Sequence, residues 1–178
     1  MRNFHNVALV GFMGTGKSTI GNILASMLNL RLIDTDVLIE QLARKRIAEI
    51  FATEGEAHFR ELERKVVEGL DGEKGCVIST GGGLVVNPAN MESLKRHSLV
   101  VCLWASPETV FARVGHQTHR PLLRGDDPLG KIRELLGQRE PFYKQADVLL
   151  NCDYRAPREV AQHVAHQFRM ARADQSEG

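Results

Sequence analysis

The chain has 178 residues, of which 43% are hydrophobic and 25% are charged, proportions typical of a soluble globular protein with a single core. A formal net charge of +1 excludes an overall field that would favour nucleic acid or an anionic membrane, so we expect anion binding only from local clusters. The N-terminus lacks the apolar core of a signal peptide, no apolar run approaches the roughly 20 residues that span a bilayer, and the three cysteines form no CxxC pair. We therefore expect a cytoplasmic protein with reduced thiols, and neither nucleic acid nor a membrane as its partner.

Short, nearly all-apolar segments alternate with helix-like segments along the chain. Strands are predicted at 7–11, 30–34, 76–80, 99–105 and 146–151. Helices are predicted after the first strand and at 37–44, about 56–70, 88–96, from 107, around 130–144 and from about 157. Asn87 and Ser106, each followed by a proline, are predicted to cap two of these helices. The alternation predicts a parallel sheet covered on both faces, with ligands at the carboxyl ends of the strands, where Gly11, Asp34 and Gly81–Gly83 fall.

The segment GFMGTGKS, residues Gly11–Ser18, fits the phosphate-binding pattern GxxxxGK[ST] between a strand and a helix. Glycines allow the backbone to turn successive N–H groups toward an anion, and the helix that follows adds its positive end. Lys17 is predicted to reach the β- and γ-phosphates of a nucleotide, and the Ser18 hydroxyl to bind Mg²⁺. The alternative is a glycine-rich turn without a ligand, but the strand and helix on either side favour the phosphate site.

Two carboxylates, Asp34 and Asp36, stand one residue apart at the end of the second predicted strand. A phosphate-loop protein usually supplies an acidic group from another strand end to hold its metal ion. Because residues i and i+2 of an extended strand project the same way, both side chains are predicted to face one cleft, with Asp34 toward the Mg²⁺ and Asp36 toward a second substrate. An additional role is that Asp36 caps the helix that follows.

Six segments, in this order, resemble those of shikimate kinases: GFMGTGKST, DTD, GEAHFRELE, STGGG, RPLL and REPFYKQAD. The resemblance extends from about residue 5 to 165, and the absence of an Asn-Lys-x-Asp motif argues against a GTPase switch. It implies a three-layer α/β/α P-loop kinase fold with a five-stranded parallel sheet of order 2-3-1-4-5, a helical substrate-binding region and a mobile lid. It also implies Mg²⁺-dependent transfer of phosphate from ATP to the 3-hydroxyl of shikimate, a step of chorismate and aromatic amino acid biosynthesis, in a family whose members are commonly monomers.

The resemblance also divides the chain. One domain is expected over residues 1–172, with a substrate-binding region at about 34–62 and a lid at about 114–127. Residues 173–178 are expected to form a disordered tail.

The resemblance assigns site residues to the acid substrate. Arg60 and Arg139 are expected to clamp the carboxylate of shikimate, because a planar guanidinium fork suits a carboxylate. Asp36 is expected to accept from the ring hydroxyls and to orient or deprotonate the attacking one. Gly81 and Gly82 are expected to bring backbone N–H groups close to the substrate. From the residues alone, an exposed salt-bridge ladder with Glu56 and Glu63 is the favoured interpretation of Arg60, and a flexible turn is the alternative for the glycines.

Glu63 follows Arg60 by three residues and could hold its guanidinium in place on a helix. Two of the quoted segments depart from the family pattern. A Gln occupies position 145 where a Glu is usual, and the bulky pair Ala57-His58 precedes Phe59.

The resemblance also assigns the nucleotide site and the lid. Arg120, in the segment RPLL, is expected to swing onto the phosphates as the lid closes, and so joins Lys17 and Asp36 as a catalytic residue. The residues expected to bind ATP are Gly14, Thr15, Gly16, Lys17, Ser18, Thr19, Arg113, Arg120, Arg155 and Pro157, of which Arg113, Arg155 and Pro157 surround the adenine.

Two other functions remain open at this stage. A sugar-acid kinase of the gluconate type would share the phosphate loop and the polar substrate, but not the combination of Asp36, Arg60, Gly82 and Arg139. A nucleotide-binding regulatory module without catalysis would not need the complete set of charged residues.

Overall fold

The computed structural model describes residues 4–114 and 126–176, and a five-stranded parallel sheet lies at its centre. The strand order β2-β3-β1-β4-β5 confirms the predicted order. The strands are β1 (Asn6–Val10), β2 (Arg31–Asp34), β3 (Cys76–Ser79), β4 (Ser98–Trp104) and β5 (Val148–Asn151). Because Ser79 pairs with both Leu9 and Asp34, the carboxyl ends of the first three strands meet at one edge.

Eight helices and one short 3₁₀ turn (Leu84–Val86) accompany the sheet in the described part of the chain. The helices are α1 (Lys17–Leu28), α2 (Thr35–Ala43), α3 (Ile47–Thr53), α4 (Gly55–Gly69), α5 (Pro88–His97), α6 (Pro107–Val114), α7 (Pro128–Tyr143) and α8 (Pro157–Ser176). Helix α8 extends to Ser176, so residues 173–176 are helical where a disordered tail was expected.

The predicted N-caps of two helices are confirmed. The Asn87 side chain accepts from the backbone N–H of Ala89 at 3.1 Å, at the start of α5. The Ser106 hydroxyl accepts from the backbone N–H of Thr109 at 3.2 Å, at the start of α6. Each cap satisfies one N–H that the first turn of a helix leaves unbonded.

The sheet is covered on both faces, as a nearly all-apolar parallel sheet requires. Ala8 and Val10 of β1 pack into one hydrophobic cluster, while Val7 and Leu9 pack into another on the opposite face. Alternate strand residues point to opposite sides, so one strand supplies both clusters.

A third, smaller cluster lies outside the two main ones and joins α2, α3 and α4. Its buried members are Ile39, Ile50, Phe59, Leu62 and Val66. This cluster holds the helical segment between β2 and β3 together, and that segment carries Arg60.

The three cysteines, Cys76, Cys102 and Cys152, are free and buried. Among residues 4–114 and 126–176, no helix is both long and apolar enough to cross a membrane.

Candidate active site

The phosphate loop connects β1 to α1 at the edge where the strands end. Gly16 precedes the first helical residue with φ of 93°, a left-handed conformation that glycine adopts without steric cost. The Thr15 hydroxyl donates to the carbonyl of Phe12 at 2.9 Å and is buried, so it braces the loop from inside. The N-terminus of α1 therefore opens onto the space in front of the loop, as an anion site needs.

Lys17 is the cation of this loop. Its side chain is buried, and Nζ donates to the carbonyls of Gly11 and Phe12, both at 2.8 Å. The ammonium group thus lies against the loop itself, where a bound phosphate would meet it.

Asp34 performs two tasks at the end of β2. Its Oδ1 accepts from the backbone N–H groups of Asp36 at 2.9 Å and Val37 at 3.4 Å, which caps α2. Its Oδ2 accepts from the Ser18 hydroxyl at 3.4 Å. The predicted partners of a metal ion, Ser18 and Asp34, are therefore neighbours.

Two predictions about this pair of aspartates were wrong in detail. Asp34, not Asp36, caps the helix, because α2 begins at Thr35 and its first N–H groups point back at residue 34. Asp36 consequently lies in the first helical turn, and the i, i+2 argument from an extended strand does not apply. Both side chains nevertheless line the same cavity as the phosphate loop.

That cavity has a volume of about 340 Å³. Four groups of predicted site residues line it: Gly14, Gly16, Lys17, Ser18 and Thr19 of the loop, the carboxylates Asp34 and Asp36, the glycines Gly81 and Gly82, and Arg113. Thr80 lines it too, and its hydroxyl donates to the carbonyl of Leu9 at 3.0 Å. The phosphate loop and the glycines predicted to contact the acid therefore share one cleft.

A second cavity of about 350 Å³ adjoins the first. The residues predicted to contact adenine, Arg113, Arg155 and Pro157, line it together with Thr15 and Thr19. Arg113 joins the two cavities, since its Nη1 donates to the carbonyl of Gly14 at 3.1 Å and its Nη2 to that of Cys152 at 3.4 Å. This arrangement offers a continuous path from the phosphate loop to a site for a base.

Arg60 lies on α4 and is held by two glutamates. Its Nη1 donates to Glu63 at 2.7 Å, and its Nη2 to Glu56 at 2.9 Å. Glu63 is only 1% exposed, and burial raises the pKa of its carboxyl while the Arg60 guanidinium acts in the opposite direction. The predicted contact of Glu63 with Arg60 is confirmed, and the buried position of Glu63 separates this pair from an ordinary surface ladder.

Arg139, on α7, contacts the Gly81–Gly83 segment. Its Nη1 donates to the carbonyl of Gly82 at 3.4 Å, and its guanidinium lies 5.5 Å from the centre of the Phe12 ring in the phosphate loop. Arg60 is adjacent to the next residue, since a Cβ on Gly83 would lie 2.8 Å from Arg60 Nη1. Both guanidiniums therefore border the Gly81–Gly83 segment.

The glycine segment differs in one respect from the prediction. The Gly81 N–H donates to the Thr35 hydroxyl at 3.0 Å, so it is not directed at a substrate, because a buried N–H takes the nearest good acceptor. Gly81 instead provides space, since a Cβ there would lie 2.6 Å from Asp36 Oδ1. A Cβ on Gly82 would lie 3.1 Å from the backbone nitrogen of Met13.

Sequence reasoning missed three residues of this site. Gly83 makes room for Arg60, Thr35 receives the Gly81 N–H, and Tyr143 donates to the Gly82 carbonyl at 2.5 Å. The triple glycine was a signal for the first, but nothing in the sequence pairs Thr35 or Tyr143 with residues so distant along the chain. Arg120, and most of the segment predicted as a lid, lie outside the described residues.

In the part of the chain that the structure describes, no three His, Cys, Asp or Glu side chains group into a metal site. Mg²⁺ in phosphate-transfer sites commonly uses one or two carboxylates together with substrate phosphates, so a three-ligand cluster is not required.

Comparisons with known proteins agree with this geometry. The family model described as shikimate kinase matches residues 13–169. The chain is 42% identical over 163 residues to the shikimate kinase of Caldanaerobacter subterraneus subsp. tengcongensis, which covers 92% of this chain and 95% of that protein. The structure of shikimate kinase from Acinetobacter baumannii in complex with shikimate superimposes with a TM-score of 0.89 at 36% identity and covers 94% of both chains.

A gluconokinase from Sinorhizobium meliloti superimposes with a TM-score of 0.64, but at 16% identity over 98% of each chain. That likeness shows the fold alone. The two alternatives left open by the sequence, a sugar-acid kinase and a silent nucleotide-binding module, are not favoured by the family match.

Proposed function

The chain belongs to the shikimate kinase family, and from this premise we propose how its cleft transfers the γ-phosphoryl group of ATP to the 3-hydroxyl of shikimate. One observation carries the proposal. Two guanidiniums, of Arg60 and Arg139, border the same glycine segment that lines the phosphate-loop cavity. An acid held by the guanidiniums would therefore lie beside a triphosphate held by the loop.

The nucleotide is bound by the phosphate loop and the adjoining cavity. Backbone N–H groups from Gly14 to Thr19 and the positive end of α1 surround the phosphates, and Lys17 neutralises their charge. The adenine lies among Arg113, Arg155 and Pro157, whose shared cavity supports this assignment. Lys17 leaves the carbonyls of Gly11 and Phe12 when a phosphate offers it a full negative charge.

Ser18 and Asp34 fit a Mg²⁺ ion. Both supply oxygen, the ligand that Mg²⁺ prefers, and the Asp34 oxygen that faces Ser18 is not the one that caps α2. A Mg²⁺ ion held there by Ser18 and Asp34 would supply positive charge beside the phosphates and would stabilise the negative charge that develops during transfer.

Shikimate is bound by its carboxylate and its hydroxyls. Arg60 and Arg139 bind the carboxylate with their planar forks, and Glu63 fixes the direction of Arg60. Asp36 faces the cavity and accepts from the ring hydroxyls. The structure of the similar Acinetobacter baumannii protein contains shikimate, which supports this class of ligand.

The reaction then requires little covalent chemistry from the protein. The 3-hydroxyl oxygen forms a bond to the γ-phosphorus, the bond from that phosphorus to the β-phosphate oxygen breaks, and the hydroxyl proton passes to Asp36 or to water that Asp36 orients. Catalysis comes from holding the two substrates in line and from neutralising charge. Arg120 and closure of the segment at 114–127 remain predictions, as do the domain limits at 1–172, the cytoplasmic location and the monomeric state.

A coupled assay of ADP release tests the function. The purified protein is given ATP and Mg²⁺ with shikimate, with gluconate, or with no acid, and the product is identified by the ³¹P–¹H coupling of its 3-position. We expect turnover with shikimate alone and phosphate on the 3-oxygen. The Lys17→Ala variant serves as the control and should lose turnover, because the phosphates lose their counter-charge.

Two results would contradict the proposal. Preferred turnover of gluconate would support the sugar-acid kinase. ATP binding without turnover of any acid would support the regulatory module.

A further inference from the structure

Tyr143 is fully buried near the end of α7. Its phenol Oη donates to the carbonyl of Gly82 at 2.5 Å. Gly82 lines the shared cavity, so a side chain in the core holds a backbone group at the substrate site.

Tyr143 and Arg139 act on the same acceptor. They are four residues apart on α7, which places them on one side of the helix, and Arg139 Nη1 donates to the same Gly82 carbonyl at 3.4 Å. A carbonyl oxygen has two lone pairs, and here the short bond belongs to the phenol and the long one to the guanidinium. The guanidinium's bond to the carbonyl is therefore the weaker one, and the guanidinium also interacts directly with the phenol. Its remaining N–H groups are left for a carboxylate.

The Gly81–Gly83 segment is also held by a second hydroxyl, that of Thr35. The Gly81 N–H donates to the buried Thr35 hydroxyl at 3.0 Å. Thr35 and Tyr143 thus fix the peptide groups on either side of the one that joins Gly81 to Gly82. Neither hydroxyl belongs to the phosphate loop, so this support serves the acid side of the cleft.

We propose that Tyr143 is a positioning residue for acid recognition: it satisfies the Gly82 carbonyl, and thereby keeps the Arg139 fork free to bind the substrate carboxylate. This proposal rests on the proposed function, because it names a further residue of the same site. Without the phenol, the carbonyl would take Arg139 as its donor through a charge-assisted bond, and the substrate carboxylate would have to displace it.

The Tyr143→Phe variant tests the proposal because it removes one oxygen and keeps the ring. We expect the KM for shikimate to rise about tenfold, the order of one lost hydrogen bond, with a change in the KM for ATP and in kcat of less than about twofold. Ile132→Val is the matched control, since Ile132 is also fully buried on α7 but bonds to no part of the site. It should lower stability and leave both KM values unchanged.

A double-mutant cycle separates positioning from a general loss of packing. If Tyr143 acts through Arg139, the effect of Tyr143→Phe on the shikimate KM should be at least about threefold smaller when Arg139 is already lysine. Equal effects in both backgrounds would overturn the proposal. The proposal would also be overturned if the wild type turns over shikimate and the Tyr143→Phe variant has the same KM for shikimate as the wild type. Absence of shikimate turnover by the wild type would instead overturn the proposed function.

A binding measurement that keeps the phenol of Tyr143 covers the case in which Tyr143→Phe does not fold. The chain has two tyrosines, and the other, Tyr154, is fully exposed. In protein labelled with fluorotyrosine, Tyr154→Phe assigns the two ¹⁹F signals. We expect shikimate to shift the Tyr143 signal as Arg139 leaves the shared carbonyl, and a Tyr143 signal unmoved by saturating shikimate would overturn the proposal.

Discussion

Asp36 leaves no room for a side chain on Gly81, and its carboxylate is the one proposed to meet the attacking hydroxyl. A Cβ on Gly81 would lie 2.6 Å from Asp36 Oδ1 and 3.5 Å from Glu63 Oε1. Since Gly81 does not have a positive φ, the constraint is one of space and not of backbone conformation.

We therefore predict that Gly81→Ala displaces the Asp36 carboxylate and lowers kcat for shikimate by about tenfold to a hundredfold, the effect of misplacing a reacting group. ATP binding should persist, because the phosphate loop is not touched. Steady-state kinetics and nucleotide binding by calorimetry measure the two effects.

Gly69→Ala is the control for that substitution. Gly69 is exposed at the end of α4, and a Cβ there would meet nothing within 4 Å. It should retain wild-type kcat. If Gly81→Ala retained it as well, Asp36 would tolerate displacement and its proposed role would be wrong.

Residues that belong to a short motif could be predicted from the sequence, and residues that act across the fold could not. Lys17, Asp34 and Asp36 each stand beside a strand end that the hydrophobic pattern marks. Tyr143 contacts Gly82 across 61 positions of sequence, and Thr35 contacts Gly81 across 46. Such pairs arise only when the strands are assembled, so a single sequence gives no sign of them.

At the scale of the element, Asp34 joins the start of α2 to the site. One of its oxygens caps the helix and the other faces Ser18. Capping requires an oxygen acceptor, whereas binding a divalent cation also benefits from negative charge.

We predict that Asp34→Asn keeps the cap but weakens the metal site. The free energy of unfolding should change by less than about 0.5 kcal/mol, because Asn caps helices as well as Asp does, while the Mg²⁺ concentration for half-maximal turnover rises about tenfold. Urea unfolding and a Mg²⁺ titration of turnover provide the two measurements.

Asn87→Ala is the companion variant, since Asn87 caps α5 outside the site. It should cost about 1 kcal/mol of stability and leave the Mg²⁺ requirement unchanged. An unaltered Mg²⁺ requirement in Asp34→Asn would remove Asp34 from the metal site.

Helix α3 was not predicted from the sequence. It has seven residues, too few for a clear periodic pattern, and its only buried residue is Ile50. Ile50 packs in the cluster formed with α2 and α4, so tertiary contacts stabilise the helix and local propensity does not.

At the scale of the whole molecule, His97 ties together distant parts of the fold. Its Nδ1 lies 3.0 Å from both the Asn6 amide and the Ser98 hydroxyl, and the Asn6 side chain also bonds to the backbone of Glu73 and Cys76. Burial lowers the pKa of His97, and Asp71 acts in the opposite direction.

We predict that the protein loses stability as the pH falls below about 6.5, the pKa of an unfolded histidine. Above that pH both states hold His97 neutral. Below it the unfolded chain binds the proton first, so the free energy of unfolding falls until the lowered pKa of the folded state is passed. Urea unfolding at about pH 7.5 and about pH 5.5 measures the slope. His97→Asn, which retains an acceptor for Asn6, should reduce the dependence of the unfolding free energy on pH. An unchanged dependence would exclude His97 as its source.

The sheet order was predictable at this scale because the ordered motifs resembled one family, and the strands followed from their apolar runs. The boundaries shifted by one or two residues where a cap or a pairing decided them, as at Thr35.

The proposed function depends above all on recognition of the acid's carboxylate by Arg60 and Arg139, beside the phosphate loop. Comparing kcat/KM for shikimate with that for its uncharged methyl ester tests it most directly, because the hydroxyls are the same and only the charge is removed. We predict that the ester loses at least about a hundredfold in kcat/KM, the order of two charge-assisted bonds, while the KM for ATP is unchanged. Equal kcat/KM for the two compounds would contradict it.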